Sequence, residues 1–340
     1  MCRLSRSTLH SKQSGVFRNM ALYARVIGWG GYLPEKVLTN DDLAKQIDTS
    51  DEWIFSRTGI RQRHIAAEGE LTSDLAVKAA IAAMDRAKIT ADDVDMIILS
   101  TVTPDNTFPA TAARVQAKLG MKRGAAFDIG AACAGFIYAS SLANNYIKTG
   151  YAKTILVIGV ETFSRIVDWE DRTTCVLFGD GAGAVIYQAH EDDSDIPRGI
   201  LGYELHTDGR LYDILRTDGG PSETSSMGHL TMDGREVYRH AVTKLVEVSQ
   251  SIMAAHNLSV ADLDWIIPHQ ANARIIAATG ERLGLPEDRT VLTVTNHANT
   301  SAASIPLALM EMGHKILPGQ IVLMEALGAG LVWGAMVLRW

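Results

Sequence analysis

The strongest constraint on this 340-residue chain is that it repeats itself. Ala91-Asp92-Asp93-Val94-Asp95-Met96-Ile97-Ile98 is echoed by Val260-Ala261-Asp262-Leu263-Asp264-Trp265-Ile266-Ile267, with the last aspartates 264 − 95 = 169 residues apart. Ala132-Cys133 before one apolar-periodic segment matches Ala298-Asn299 before another, at 299 − 133 = 166. The run from Ile155 matches the run from Ile321 at 321 − 155 = 166, and Gly183-Ala184-Val185-Ile186 matches Gly334-Ala335-Met336-Val337 at 334 − 183 = 151. Four matches in one order and at nearly one spacing imply two similar β/α halves. The drop from 166 to 151 leaves 15 extra residues before the last strand of the first half, among them Asp168-Trp169-Glu170-Asp171-Arg172. Strands alternating with helices predict a mostly parallel sheet covered by helices in each half.

The halves run from 20 to 190 and from 191 to 340. Residues 1–19 carry four basic side chains, several serines and no acid. They read as an N-terminal extension, disordered or non-native, with a transit-like segment as the alternative.

The stretch 124–143 holds the first chemical signal. An apolar run leads into small residues, then Cys133, then a pattern of helical period, which predicts a strand, a tight turn and a helix carrying a thiol in its first turn. A helix N-terminus favours a thiolate, so Cys133 is a candidate nucleophile. The plain alternative is a buried structural cysteine. Only three cysteines occur (Cys2, Cys133, Cys175), far apart and odd in number, which points to a reducing, cytoplasmic setting and no disulfide framework. Cys175 reads as core. No metal-ligand spacing and no apolar run of membrane-spanning length is present. A net charge of −7 gives no support to nucleic-acid binding. Phe178-Gly179-Asp180-Gly181-Ala182-Gly183 resembles a phosphate loop in composition only. It lies between strand-like runs (174–177 and 184–187) with no helix after it, and is predicted to be a hairpin turn.

The repeat puts further reactive groups at related strand ends. Asn299 is read at the place matching Cys133, and His269 follows the strand matching Ile97-Ile98-Leu99. Loops at carboxyl ends of strands converge in such folds, so Cys133, His269 and Asn299 form the candidate constellation.

These residues carry a family resemblance. The segment around Cys133, Pro268-His269-Gln270-Ala271-Asn272 and Asn299-Thr300-Ser301-Ala302-Ala303-Ser304 resemble the thiolase-like condensing enzymes. Cys-His-Asn, with Thr49-Ser50-Asp51-Glu52-Trp53-Ile54 and Arg57-Thr58-Gly59-Ile60-Arg61, narrows the resemblance to the β-ketoacyl-[acyl carrier protein] synthase III family, over about residues 20–340. The resemblance implies an α/β thiolase-like fold, with two βαβαβ-type halves in an α-β-α-β-α layering. It implies a homodimer that joins acetyl-CoA or another short acyl-CoA to malonyl-acyl carrier protein, initiating fatty acid synthesis through an acyl-Cys133 intermediate. Coenzyme A thioester enters as substrate, and no cofactor, metal, nucleic acid or membrane is expected.

In the same terms, His269 and Asn299 donate to an enolate oxygen, and the backbone N–H groups of Cys133 and Ala329 form the oxyanion hole. Thr49, Trp53, Arg57, Arg172 and Asn272 contact coenzyme A, Trp53 and Arg172 sandwiching its adenine. Phe108 closes the acyl pocket of a partner subunit. Arg235, Arg239 and Arg274 form a basic patch for the acidic carrier protein. Ala329 and Ala298 stand where the family commonly has glycine. The alternatives are a relative using a longer primer or a specialised acceptor, a papain-like Cys-His-Asn hydrolase, and a non-catalytic scaffold.

Overall fold

The computed structural model describes residues 21–192, 194 and 196–340, and the extension read at 1–19 lies outside them. In chain order, β1 (Leu22–Tyr32) leads into a small antiparallel two-stranded sheet of β2 (Lys36–Thr39) and β3 (Gln62–Ile65). Between these lie α1 (Asn40–Leu43) and α2 (Asp51–Thr58). The first half continues with α3 (Thr72–Ala87), β4 (Met96–Ser100), α4 (Thr111–Lys118) and β5 (Ala125–Ile129). It ends with α5 (Gly135–Lys148), β6 (Thr154–Thr162) and β7 (Asp180–Glu191). The second half holds β8 (Gly199–Thr207), β9 (Leu215–Thr217), β10 (Leu230–Met232) and α6 (Gly234–Ala255). Then come β11 (Trp265–Pro268), α7 (Ala273–Leu283), α8 (Val294–His297), α9 (Ser304–Met312), β12 (Ile321–Gly328) and β13 (Val332–Arg339).

The duplication shows directly in the strand orders. One sheet runs β1-β7-β6-β4-β5 and the other β8-β13-β12-β11. The missing fifth strand survives as a single parallel bridge, Ile266 to Thr290. Helices α5 and α9 are packed between the two sheets, α3 and α4 cover the outer face of one, and α6 covers the other with α7 packed against it. This is the five-layered α-β-α-β-α arrangement. Burial from both sides shows in α9, where Ser304, Ile305, Pro306, Leu307, Ala308 and Leu309 are all buried, while α5 also buries Ser140, Ser141 and Asn144.

Three expectations are corrected. First, the sheets are mixed rather than mostly parallel. β4 pairs in parallel with β5 and β6, but β7 is antiparallel to both β6 and β1. In the second half only residues 329–331 link β12 to β13, and so short a link enforces an antiparallel return. Second, 174–177 is a turn rather than a strand, and Gly181 and Gly183 lie inside β7, not in a hairpin. Their purpose is helix contact: a Cβ on Gly183 would come within 2.7 Å of Pro306 of α9.

Third, Asn299 is not the twin of Cys133. A one-turn helix, Ala132–Ala134, precedes α5, and another, Ser301–Ala303, precedes α9. Each opens on a residue of positive φ, Ala132 at 44° and Ser301 at 49°. The structural offset there is 301 − 132 = 169, so Cys133 matches Ala302 and Asn299 matches Gly130. Short matches in small-residue segments left the sequence alignment three residues out of register.

Candidate active site

A cavity of about 1000 Å³ collects Cys133, His269, Asn299 and Ala329, with Phe163 and Phe178 among its apolar walls. The three reactive side chains come from three separate places. Cys133 sits in the one-turn helix before α5, His269 follows β11, and Asn299 lies in the loop between α8 and α9. All three are buried.

Asn299 is pinned on every side. Its backbone N–H donates to Leu177 O at 2.9 Å, and its carbonyl accepts from Gly179 N–H at 3.1 Å. Its side-chain Oδ1 accepts from Ser301 N–H at 2.9 Å, which leaves the Nδ2 amide as the group free to donate. His269 is fixed through Ser304, whose Oγ lies 2.7 Å from Nδ1. Burial pushes the His269 imidazole down to about 3, so the ring is neutral.

Gly328 brings the end of β12 against the cysteine: a Cβ there would lie 2.5 Å from the Cys133 backbone nitrogen. That approach sets Ala329 beside the Cys133 turn. Ala329 is not among the residues with positive φ, so alanine meets no strain where glycine is common. Ala298 differs, standing at φ 58°, ψ −164°, a region that strongly favours glycine.

Burial pushes the Cys133 thiol up to about 12; the Ser301 hydroxyl opposes this, and the Glu161 carboxylate adds to it. The sequence argument from the helix terminus pointed to a thiolate, and loss of solvation outweighs it in the free protein. Glu161 went unnoticed in the sequence because it lies within a strand. It is fully buried on β6, accepting from Thr103 Oγ1 at 2.6 Å, Thr101 Oγ1 at 3.2 Å and Val102 N–H at 3.1 Å. Burial pushes it up to about 7 despite these bonds.

The cavity mouth carries Arg57, Arg235, Asn272 and Arg274. Ser50 caps α2 by accepting from Trp53 N–H at 3.1 Å, and that helix projects Trp53 and Arg57 one turn apart. The Arg57 guanidinium carbon lies 4.5 Å from the Trp53 ring centroid, and that of Arg172 5.1 Å. The insertion of the first half therefore does reach α2, and Arg172 also donates to Asp48 O at 2.7 Å. A flat ring held between two faces needs roughly 7 Å, two contacts of about 3.5 Å. Arg172 must swing away from Trp53 to admit one.

Asn272 has a structural role in hand, its Oδ1 capping α7 by accepting from Ile275 N–H at 2.9 Å. The Thr49 hydroxyl is buried without a hydrogen-bond partner among the described residues. Arg235 and Arg274 are exposed, as is Arg239, which is paired with Glu236. Phe108 is not part of this chain's own cavity and is 83% exposed. Residues 215–232 form the β9–β10 hairpin, which contributes Leu215 and Leu230 to the cavity wall. Among the described residues no group of three or more His, Cys, Asp or Glu side chains could hold a metal ion, and no helix is long and apolar enough to cross a membrane.

Two family models match the chain, 3-oxoacyl-[acyl-carrier-protein (ACP)] synthase III over residues 127–209 and the C-terminal part of 3-oxoacyl-[acyl-carrier-protein (ACP)] synthase III over residues 253–340. The chain is 58% identical over 323 residues to a beta-ketoacyl-[acyl-carrier-protein] synthase III of Rhodospirillum centenum, covering 94% of this chain and 100% of the relative. It is 52% identical over 318 residues to the enzyme of that name from Rhizobium meliloti, covering 93% and 98%. The crystal structure of 3-oxoacyl-[acyl-carrier-protein] synthase III from Aquifex aeolicus VF5 superposes with a TM-score of 0.88 at 46% identity, covering 93% of this chain and 100% of that one. The priming β-ketosynthase of the R1128 polyketide pathway gives a TM-score of 0.88 at 33% identity, covering 96% and 98%.

Proposed function

This chain belongs to the β-ketoacyl-[acyl-carrier-protein] synthase III family of condensing acyltransferases, which initiate fatty acid synthesis, and from that membership we propose that Cys133 is its acyl-carrying nucleophile. In the first half-reaction the Cys133 sulfur attacks the thioester carbonyl of acetyl-CoA or another short acyl-CoA. The C–S bond to coenzyme A breaks, and the thiol proton leaves with the departing thiolate. The tetrahedral oxyanion is held by the backbone N–H groups of Cys133 and Ala329.

Malonyl-acyl carrier protein then enters. Loss of CO₂ leaves the electron pair of the broken C–C bond as an enolate. Its oxygen accepts from His269 and from the free Asn299 amide, so no base has to take a proton from carbon. The carbanion attacks acyl-Cys133, the C–S bond breaks, the released Cys133 sulfur takes up a proton from solvent, and 3-oxoacyl-carrier protein departs. The observation that carries this reading is the shared cavity of Cys133, His269 and Asn299, with the Asn299 Oδ1 already occupied.

Trp53, Arg172, Arg57, Thr49 and Asn272 are assigned to coenzyme A, and Arg235, Arg239 and Arg274 to the acidic carrier protein. The enzyme works as a cytoplasmic homodimer of chains built from halves 20–190 and 191–340. β5 ends its sheet with an unpaired edge, and the exposed Phe108 precedes α4, as a side chain reaching into a partner's acyl pocket requires.

The test is intact-protein mass spectrometry after mixing with acyl-CoAs from acetyl to dodecanoyl. One adduct on Cys133, strongest with the shortest chains, is expected. Preference for long chains would favour the specialised relative. No adduct on folded, reduced protein would refute the reading.

A further inference from the structure

We propose that Ser304 is a positioning residue that fixes His269 as its Nε2–H tautomer, making the ring a hydrogen-bond donor into the cavity and excluding it as the base for Cys133. The inference rests on the reading of His269 as an enolate-oxygen donor. Ser304 Oγ lies 2.7 Å from His269 Nδ1 and accepts the Gln270 backbone N–H at 3.3 Å. The hydroxyl has one proton to place. If Nδ1 carried the ring proton, the oxygen would accept twice, and its own hydrogen would be unpartnered at a residue only 2% exposed. If the hydroxyl donates to a bare Nδ1, every group is satisfied.

The neighbouring donor cannot turn away to relax this choice. Gln270 is fully buried, with its Nε2 donating to Pro268 O at 2.9 Å and Val291 O at 3.1 Å. Its Oε1 accepts from Thr293 N–H at 2.7 Å and Val294 N–H at 3.1 Å. The ring is neutral through burial, so its single proton sits on Nε2. A protonated Nε2 offers no lone pair to a thiol.

The duplication supplies independent support. At the offset of 169, His269 matches Ser100 and Ser304 matches Gly135. In the first half this contact is pure packing, since a Cβ on Gly135 would fall 1.8 Å from Ser100 Oγ. In the second half the same contact carries an imidazole and a hydroxyl that can donate to it.

Nitrogen NMR of histidine-labelled protein, with the His269 signals assigned by their loss in His269→Gln, reads the tautomer directly. The expected spectrum has a protonated Nε2 and a bare Nδ1, and a protonated Nδ1 overturns the proposal. In Ser304→Ala, decarboxylation of malonyl-acyl carrier protein is expected to fall about ten- to hundredfold while acyl loading of Cys133 stays within about twofold. Ser304→Thr, which keeps the hydroxyl, restores the rate. Decarboxylation within about twofold of wild type in Ser304→Ala, or an equal loss of loading, refutes the positioning role. Wild-type loading is measured first; failure there counts against the reaction itself, while the tautomer spectrum still tests Ser304.

Discussion

Gly328→Ala tests whether the end of β12 and the Cys133 turn form one oxyanion hole. The new Cβ would lie 2.5 Å from the Cys133 nitrogen, 3.0 Å from Ala132 Cβ and 3.1 Å from the Ala134 nitrogen. Ordinary contact begins at roughly 3.5 Å, so about 1 Å of separation has to be created. The turn has little slack, because Ala132 already stands at a φ of 44°. Whichever side yields, it carries one of the two N–H donors. Losing one such donor lowers the rate about 10²–10³-fold, about 2.7–4 kcal/mol in the barrier. Overpacking of this kind destabilises a fold by about 1–3 kcal/mol, against a total of about 5–15 kcal/mol, so the protein stays folded. Acyl loading of Cys133, followed by quenched-flow mass spectrometry, reads the first effect, and urea unfolding the second. Ala329→Gly is the control, since it keeps the amide and removes no strain; its loading stays within about threefold of wild type. Loading of Gly328→Ala within about threefold of wild type, or an equal loss in the control, would refute the reasoning.

Three other outcomes follow from the geometry. Ala298→Gly releases a residue from φ 58°, ψ −164° and is expected to raise stability by about 1 kcal/mol, strain relief exceeding the added freedom of the unfolded chain; an unchanged or lower urea midpoint counts against it. The Cys133 thiol, raised from 9.0 to about 12 by burial, stays protonated in the folded chain while the unfolded chain ionises. Its contribution is therefore present below pH 9 and lost as pH rises toward 12, by roughly 1.4 kcal/mol per pH unit relative to Cys133→Ala. Parallel stability curves for the two proteins between pH 8 and about 10.5 would contradict that sign. Arg172→Ala and Trp53→Ala are each expected to weaken coenzyme A binding about tenfold by calorimetry, with Arg172→Lys failing to restore it, since an ammonium lacks the flat face that stacks. Full recovery in the lysine variant would sink the stacking role.

How much could be read beforehand depended on the scale of the signal. The repeat was legible because apolar strands flanked by paired aspartates are long, distinctive patterns, and the strand orders bear it out. The alignment slipped where the residues are small: Ala132-Cys133 against Ala298-Asn299 looks as good as the true register, which only the paired one-turn helices reveal. Gly181 and Gly183 misled for a related reason. Glycine marks a turn or a close approach, and only the α9 contact tells which. Glu161 was invisible because a lone acid in an apolar strand carries no local sign of what surrounds it. Ser304 stands within the Asn299–Ser304 motif, but its bond to an imidazole 35 residues away is a tertiary fact.

The corrected register explains why one chain forms one site rather than two. At the offset of 169, each reactive side chain faces a chemically silent twin: Cys133 opposite Ala302, Asn299 opposite Gly130, His269 opposite Ser100. In the proposed assignment the nucleophile belongs wholly to the first half and both side-chain donors to the second. Neither half could carry the reaction alone, and a symmetric duplicate of either would lack a partner group. The two one-turn helices pack against each other at the centre of the molecule, which sets the thiol and the donors across one cavity. The asymmetry extends to the links after β6 and β12. Residues 163–179 in the first half carry Arg172 out to Trp53, whereas residues 329–331 in the second turn tightly and keep Ala329 at the cysteine. Lengthening the second link to match the first would move the Ala329 amide off Cys133, and shortening the first would withdraw Arg172 from Trp53. The repeat supplies the frame, and its departures from symmetry supply the chemistry.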